Sequence, residues 1–459
     1  MTKRKIIGPI FVHCFFITLP VAQVFAGEFE NTLIDSVNAN RDSAVSKIAL
    51  TSQKGGANSS TDQIIVIPAQ NEITVFGVAR SLTSPSLTQA AKLKREIPGA
   101  LTITENGWPE TENFEELQKY SPGVFTQSDG GTEASRISIR GSGIQAEYEP
   151  LGLQLLLDGI SYNEGDGGVN LEDFDLTGIQ YAETYRGANA FKYGSYTLGG
   201  AINLVPLTGY AGAPIMVDVE TGTYGTTNAD ISFSNVRGPY DYYVSATARY
   251  RNGGRLHSRE DVGRFFANFG YHKNDKMENR LYLTVVNVDR QTPGELTKEA
   301  LLNNPLLANS DFVRQDIGRS FRTFRLADKL TIQNGNNRFD AGAVWRYRDM
   351  DEKSFYSEES CKGISASGSN NAGVTLNLVN QSKVFGFRNI CTIGASGAYE
   401  REQSVHYANI NGQRGDSIAL YVTQAENVPL YAEIQQYVGK KLSIIAGVQA
   451  IYAGRQFID

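Results

Sequence analysis

From Ala211 to the end of the chain, apolar and polar residues alternate with period two in one segment after another. That period belongs to strands with one polar and one apolar face, and a helix cannot satisfy it. Ile215, Val217 and Val219 oppose Asp218 and Glu220, and Ala229, Ile231 and Phe233 oppose Asp230, Ser232 and Ser234. Tyr242, Val244, Ala246, Ala248 and Tyr250 form a third such face, and Phe265, Ala267, Phe269 and Tyr271 a fourth. Further on, Ala341, Ala343, Trp345 and Tyr347 oppose Arg346 and Arg348, and Leu442, Ile444, Ala446, Val448, Ala450 and Tyr452 close the series. About eleven such segments fit, each near the roughly 9–11 residues of a tilted transmembrane strand.

The connections choose between a β-sandwich and a membrane barrel. Short links near Arg237–Tyr240, Lys273–Asn279, Gln333–Asn337 and Gly439–Lys441 alternate with long ones near Asn252–Asp261, Arg290–Arg319, Met350–Asn370 and Glu402–Asn427. Outer-membrane barrels have tight turns on one side and long loops on the other, whereas a sandwich has no reason to. Tyr242, Tyr250, Tyr271, Tyr347 and Tyr452 stand at strand ends, as interfacial girdles require. Composition agrees. With 41% hydrophobic residues and a mean hydropathy of -0.29, there is no room for a bundle of apolar helices about 20 residues long. The 23 Tyr and 22 Phe exclude a mostly disordered chain. A net charge of -6 with no basic block gives a nucleic-acid partner no electrostatic support.

The first 26 residues read as an export signal: Lys3, Arg4 and Lys5, an apolar run from Ile6 to Leu19, and Val24-Phe25-Ala26 before a cut ahead of Gly27. Losing those three positive charges takes the formal charge to near -9. Residues 27–70 form a polar leader, rich in Asn, Ser and Gly, that is expected to be mobile and periplasmic. Cys14 lies inside the signal, which leaves Cys361 and Cys391. In an exported chain without a His or Cys cluster around them, the two either pair or stay as free thiols; a disulfide on the outer side is the expectation.

Residues 79–208 read as a compact α+β domain. Asn113 followed by Glu116 is arranged like a capping box, opening a short helix that Pro122-Gly123 ends. Strand-like runs follow at Arg136–Arg140, Leu153–Asp158, Ile179–Arg186 and Gly199–Val205. Within this domain LQKYSPGVF (Leu117–Phe125), ISIRGSG (Ile137–Gly143), LLLDGI (Leu155–Ile160) and IQYAETYRGANAFKYGSYTLGGAINL (Ile179–Leu204) resemble the plug of TonB-dependent outer-membrane receptors in order and spacing. EITVFG (Glu72–Gly77) is similar to the TonB box, and LYAEIQQYVGKKLSIIAG (Leu430–Gly447) to a strand–turn–strand of that family's barrel. Residues 85–103 and the TLGGAIN run are mildly similar to the ferric-citrate type, whose extra signalling domain the leader is too short to supply.

The resemblance implies an α+β plug inside a transmembrane antiparallel β-barrel of about 22 strands, of which residues 209–459 hold about half. A fragment is expected rather than a truncated gene product, and such a half should not close by itself. The implied work is energised import of a ferric chelate, a siderophore or ferric citrate, across the outer membrane of a Gram-negative bacterium. The implied partners are TonB, the chelate and outer-membrane lipid, with no cofactor. Cobalamin, another metal complex or an oligosaccharide are alternative cargoes, and a passive porin or surface binding protein is the alternative of another class. Segment 71–78, through Glu72, Ile73, Thr74, Val75, Phe76 and Gly77, would add as a strand to a sheet edge of TonB. Asp62–Ile67 is the rival box. The resemblance assigns Arg140 and Arg186 to pairing with carboxylates of the barrel wall, with Glu433 as the partner. Plug loops at residues 128–133, 144–149 and 162–167 would meet the ligand, through Arg136, Gln145, Tyr148 and Tyr162. No catalytic or metal site is expected. Gly141-Ser142-Gly143-Ile144-Gln145-Ala146 satisfies G-x-G-x-x-A, yet Pro150 and Gly152 follow where a dinucleotide site needs a helix.

Overall fold

A computed structural model describes residues 81–96, 101–105, 113–128, 135–142, 150–194, 196–354, 363–439 and 442–458. The signal, the leader, both candidate TonB boxes, Gln145, Tyr148 and Cys361 lie outside the described residues.

The N-terminal part is built from short elements. They are α1 (Leu87–Glu96), β1 (Leu101–Glu105), α2 (Phe114–Gln118), β2 (Val124–Ser128), β3 (Ser135–Ile139), β4 (Leu153–Leu157), β5 (Ile160–Ser161), β6 (Ile179–Arg186) and β7 (Gly200–Pro206). Asn113 caps α2 as the sequence suggests, its side-chain oxygen accepting from Glu116 N at 3.0 Å. Five strands form one mixed sheet in the order β1-β6-β7-β4-β5, and β2 pairs with β3. In β4 every residue is buried, as suits a strand with both faces covered beside its parallel neighbour β7.

The remaining strands form one antiparallel sheet of eleven, each paired with its neighbours in sequence. They are β8 (Ile215–Thr221), β9 (Thr227–Arg237), β10 (Tyr240–Arg251), β11 (Glu260–Asn274), β12 (Met277–Gln291), β13 (Gly318–Asn334), β14 (Asn337–Lys353), β15 (Ile364–Val384), β16 (Phe387–Ile410), β17 (Gln413–Val438) and β18 (Leu442–Ile458). Its polarity is inverted relative to a water-soluble sheet. Leu281, Val285, Phe324, Trp345, Val374 and Leu376 are exposed on the outer face, while Arg264, Arg280, Arg325, Arg346 and Arg348 are buried on the inner one. Apolar-out and polar-in is the signature of a lipid-facing barrel wall. The plug packs on the inner face, and its core (Leu155, Tyr162, Phe174, Leu204) runs without a break into Tyr243, Phe266, Tyr282 and Ala327 of the wall.

One expected loop is not a loop. Residues 402–427 continue β16 and β17 as a long hairpin, whose turn is only Asn411-Gly412 with φ of 51° and 86°. Both values are those of a two-residue primed turn, which Asn-Gly satisfies at little cost. The hairpin tip lies at the same end of the sheet as the connections at residues 252–259 and 292–317. The latter carries two short helices, α3 (Lys298–Asn303) and α4 (Ser310–Arg314).

Candidate functional site

The inward arginines and lysine of the wall meet the carboxylates of the plug. Lys329 donates to the Asp158 carbonyl at 2.5 Å and lies 3.4 Å from its Oδ1, while the Tyr282 hydroxyl donates to Oδ2. Six residues on, Glu164 Oε1 is 2.8 Å from Arg346 and 2.6 Å from Arg348. Arg348 also binds Asp173, which accepts from Thr323 Oγ1 at 2.8 Å. Arg264 donates to the Glu172 carbonyl at 2.9 Å, and Arg290 and Arg319 lie 3.6 and 3.8 Å from the Glu172 carboxylate. Between these points Arg325 covers the Tyr162 ring at 4.0 Å, and Arg346 donates to the Tyr162 carbonyl at 3.0 Å.

Buried charges persist only when they are paired, so this interface depends on its partners being in register. Burial pushes the Glu164 carboxyl up, but Arg346 and Arg348 outweigh it and hold the group at about 2. At Asp158 the balance reverses: burial outweighs Lys329 and the Tyr282 hydroxyl, and the pKa is raised.

The lock expected from the plug's own arginines is corrected. Arg186 is directed into the plug, donating to Thr102 Oγ1 at 2.6 Å and to the Pro122 carbonyl at 3.1 Å. Arg140 is exposed in the turn after β3, with φ of 54°. Glu433 does face inward from β17, but the charge acting on it is that of Lys192. The wall therefore supplies most of the cations and the plug most of the carboxylates. The reason is geometric: β13 and β14 place Arg325, Lys329, Arg346 and Arg348 on one inner face at period two.

At the end of the sheet where the long connections lie, a cavity of about 420 Å³ opens between residues 164–170 and the wall. Arg319, Arg348, Glu400, Glu402, Thr423 and Arg455 contribute to its sides. Arg455 donates to the Asp166 carbonyl at 3.0 Å, and Asp166 N donates to Glu400 Oε2 at 3.4 Å. Gly165 makes this approach feasible, because a Cβ there would lie 2.7 Å from the Ala425 carbonyl oxygen. Glu164, Asp166 and Glu400 bring carboxylate oxygens within 4.8 Å of one another. Asp241, His272 and Glu278 do the same with their ligand atoms at the other end, but there the Arg280 guanidinium already binds both carboxylates.

Two of the expected ligand residues have other roles. Tyr162 is 3% exposed and its ring packs on Phe174 at 4.0 Å, so it belongs to the core. Arg136 sits in β3 opposite Gln127, away from the cavity-lining residues. The expected disulfide is also corrected. Cys391 is free and lies opposite Asn380, near the short turn after β15, whereas Gly363 precedes the other end of that strand. From Ile364 to Asn380 the strand covers about 50 Å at roughly 3.3 Å per residue. The two steps from Gly363 back to Cys361 span about 7 Å at most.

Residues 95–201 match the family model described as TonB-dependent Receptor Plug Domain. The fold is similar to that of the ferric citrate transporter FecA in the unliganded form, at 15% identity and a TM-score of 0.68, covering 80% of this chain and 58% of that one. It is similar to the ferripyoverdine receptor of the outer membrane of Pseudomonas aeruginosa bound to ferripyoverdine, at 12% identity and a TM-score of 0.60, covering 80% and 53%. A third similarity is to the ferric-catecholate import receptor Fiu from E. coli K12, at 14% identity and a TM-score of 0.60, covering 78% and 60%. This chain thus spans between 53% and 60% of the length of these three.

Proposed function

From a chain that carries a TonB-dependent receptor plug domain on the inner wall of part of an outer-membrane receptor barrel, we propose energised import of a ferric chelate, a siderophore or ferric citrate. The observation that carries this reading is the polar fastening of the plug. Around an apolar centre shared with the wall, hydrogen-bonded ion pairs hold residues 158–173 beside a cavity, so that part of the plug could be loosened without exposing the whole apolar seat. The ligand would enter from the end with long connections and rest on residues 164–170, where Arg319 and Arg455 suit an anionic chelate. The three similar proteins are by their descriptions receptors or transporters of ferric chelates, which supports that cargo class.

Energy would arrive through Glu72–Gly77, adding as a strand to TonB. Main-chain hydrogen bonds would give affinity, and Ile73, Val75 and Phe76 the register. The test is accumulation of radioiron from a panel of chelates by cells with and without the full-length gene, each with and without TonB. Uptake that needs both genes is expected. Uptake that needs the receptor gene alone would indicate a passive pore, and uptake of cobalamin or an oligosaccharide instead would change the cargo.

A further inference from the structure

At the short-turn end of the wall, one carboxylate gathers the start of the plug. Residues 81–84 lie between the run Glu72–Gly77 and α1. Ser81 Oγ donates to Glu278 Oε1 at 3.0 Å, Leu82 N donates to Oε2, Thr83 N donates to Oε2 at 3.1 Å, and Thr83 Oγ1 donates to Oε1 at 2.7 Å. Lys329 donates to the Thr83 carbonyl at 3.1 Å, the same ammonium that holds Asp158. Thr83, Glu278 and Arg280 are all essentially unexposed.

The hydrogen-bond directions account for this arrangement. Glu278 and Arg280 share the inner face of β12, two residues apart, and the guanidinium contacts Glu278 Oε1 at 2.9 Å. The same Arg280 is also committed to Asp241, at 2.9 and 2.6 Å, and to Asn268 Oδ1 at 2.6 Å. Arg280 is divided between the two buried carboxylates, and His272 Nε2 lies 3.2 Å from Asp241 and its Nδ1 3.6 Å from Glu278, which still leaves lone pairs of Glu278 to be filled by other donors. Two main-chain N–H groups and two hydroxyls from residues 81–83 fill them. The Thr83 hydroxyl donates to the carboxylate and accepts from Arg280 Nε at 3.1 Å, so its polarity is fixed from both sides.

We propose that Glu278 is a clasp: it holds residues 81–84 against the barrel wall and thereby sets how readily the chain preceding them is offered to a partner. The proposal rests on the transport reading only for the identity of that partner. The plug's centre is held by apolar packing spread over many residues, whereas this segment is held chiefly through one side chain. A single change at Glu278 therefore loosens the segment and leaves the plug core seated.

The test reads the clasp without ligand or TonB. In outer membranes carrying the protein with Cys361 and Cys391 replaced by Ser, Leu82→Cys reports opening of the segment by its rate of maleimide labelling. Ala201→Cys, in the plug core and 0% exposed, reports loss of the plug fold. Glu278→Gln keeps the shape and removes the charge, and Thr83→Val removes a donor from the plug side in case the barrel variant misfolds. Either change should speed labelling at Leu82→Cys at least tenfold, corresponding to about 1.4 kcal/mol, with Ala201→Cys unaffected. Equal rates in all forms, or a matched rise at both cysteines, would overturn the clasp. Radioiron uptake is read in the same cells. If unmodified cells import no chelate, the transport reading falls, and the labelling rates still decide the clasp.

Discussion

Replacing Arg348 with Met should unseat the outer half of the plug. Arg348 binds Glu164 and Asp173 at once, and its Nε donates to Thr323 Oγ1 at 3.2 Å. Methionine fills part of the space but leaves Asp173, 0% exposed, with the Thr323 hydroxyl and with Arg346 at 3.9 Å. Removing one partner of a buried ion pair costs about 3–5 kcal/mol, because the remaining charge keeps its desolvation penalty. Glu164 retains Arg346, so the lower end is appropriate, about 3 kcal/mol, or roughly a hundredfold in the opening equilibrium. Hydrogen exchange of main-chain amides in β4, β5 and residues 162–175, followed by mass spectrometry in outer membranes, reads that equilibrium. Protection should fall by that factor there and stay unchanged in β9–β11. Arg314→Met, which breaks the exposed pair with Asp311, should shift protection less than threefold. Adding Asp173→Asn to Arg348→Met should restore part of the loss, since the orphaned charge is gone. If Arg348→Met changes protection in residues 162–175 by less than threefold, the ion pairs do not seat the plug.

Three more outcomes are expected. Because the Glu164 pKa is depressed below its ordinary 4.5 to about 2, its contribution is complete above pH 4.5 and is lost as pH falls toward 2. The share of plug protection that Glu164 supplies should therefore be constant from pH 7 to about 5 and be lost below it, so the difference in protection between the unmodified protein and Glu164→Gln should shrink as pH falls below about 5; a difference that does not change with pH would rule the residue out. Gly165→Val should push residues 164–167 off the Ala425 carbonyl and weaken binding at the proposed ligand seat at least tenfold, measured by equilibrium binding of the chelate to outer membranes, while Gly263→Ala, with open space around it and no left-handed φ, should leave binding unchanged. On the proposed coupling through Glu72–Gly77, Val75→Pro should abolish uptake and spare ligand binding, because proline would remove a main-chain donor from the segment proposed to add to a sheet edge of TonB; normal import in Val75→Pro cells together with failure of Ile65→Pro cells would move the box to Asp62–Ile67.

Much of the architecture is local and was therefore legible in the chain. Period-two alternation specifies a strand and its two faces without reference to anything distant, so the eleven strands and their polarity could be read segment by segment. The Asn113 cap is likewise encoded within four residues. The long hairpin of β16 and β17 was legible too, in Asn411-Gly412, but the polar residues around it masked the turn signal.

What one residue meets across the interface was not legible. Arg346 and Arg348 could be placed on the inner face by alternation, but nothing in their spacing indicates that Glu164 and Asp173, more than 170 residues earlier, lie opposite. Tyr162 reads as a loop aromatic and becomes a core residue only because Phe174 and Arg325 close over its two sides. Glu278 reads as one more polar residue beside a turn, and becomes a hub once residues 81–83 are brought to it. The sequence by itself determined the strands, their inward and outward faces and the chemistry each face could offer. Only the tertiary structure decided which charge answers which, because buried ion pairs are set by the register of plug against wall, and that register follows from how the shared apolar core packs.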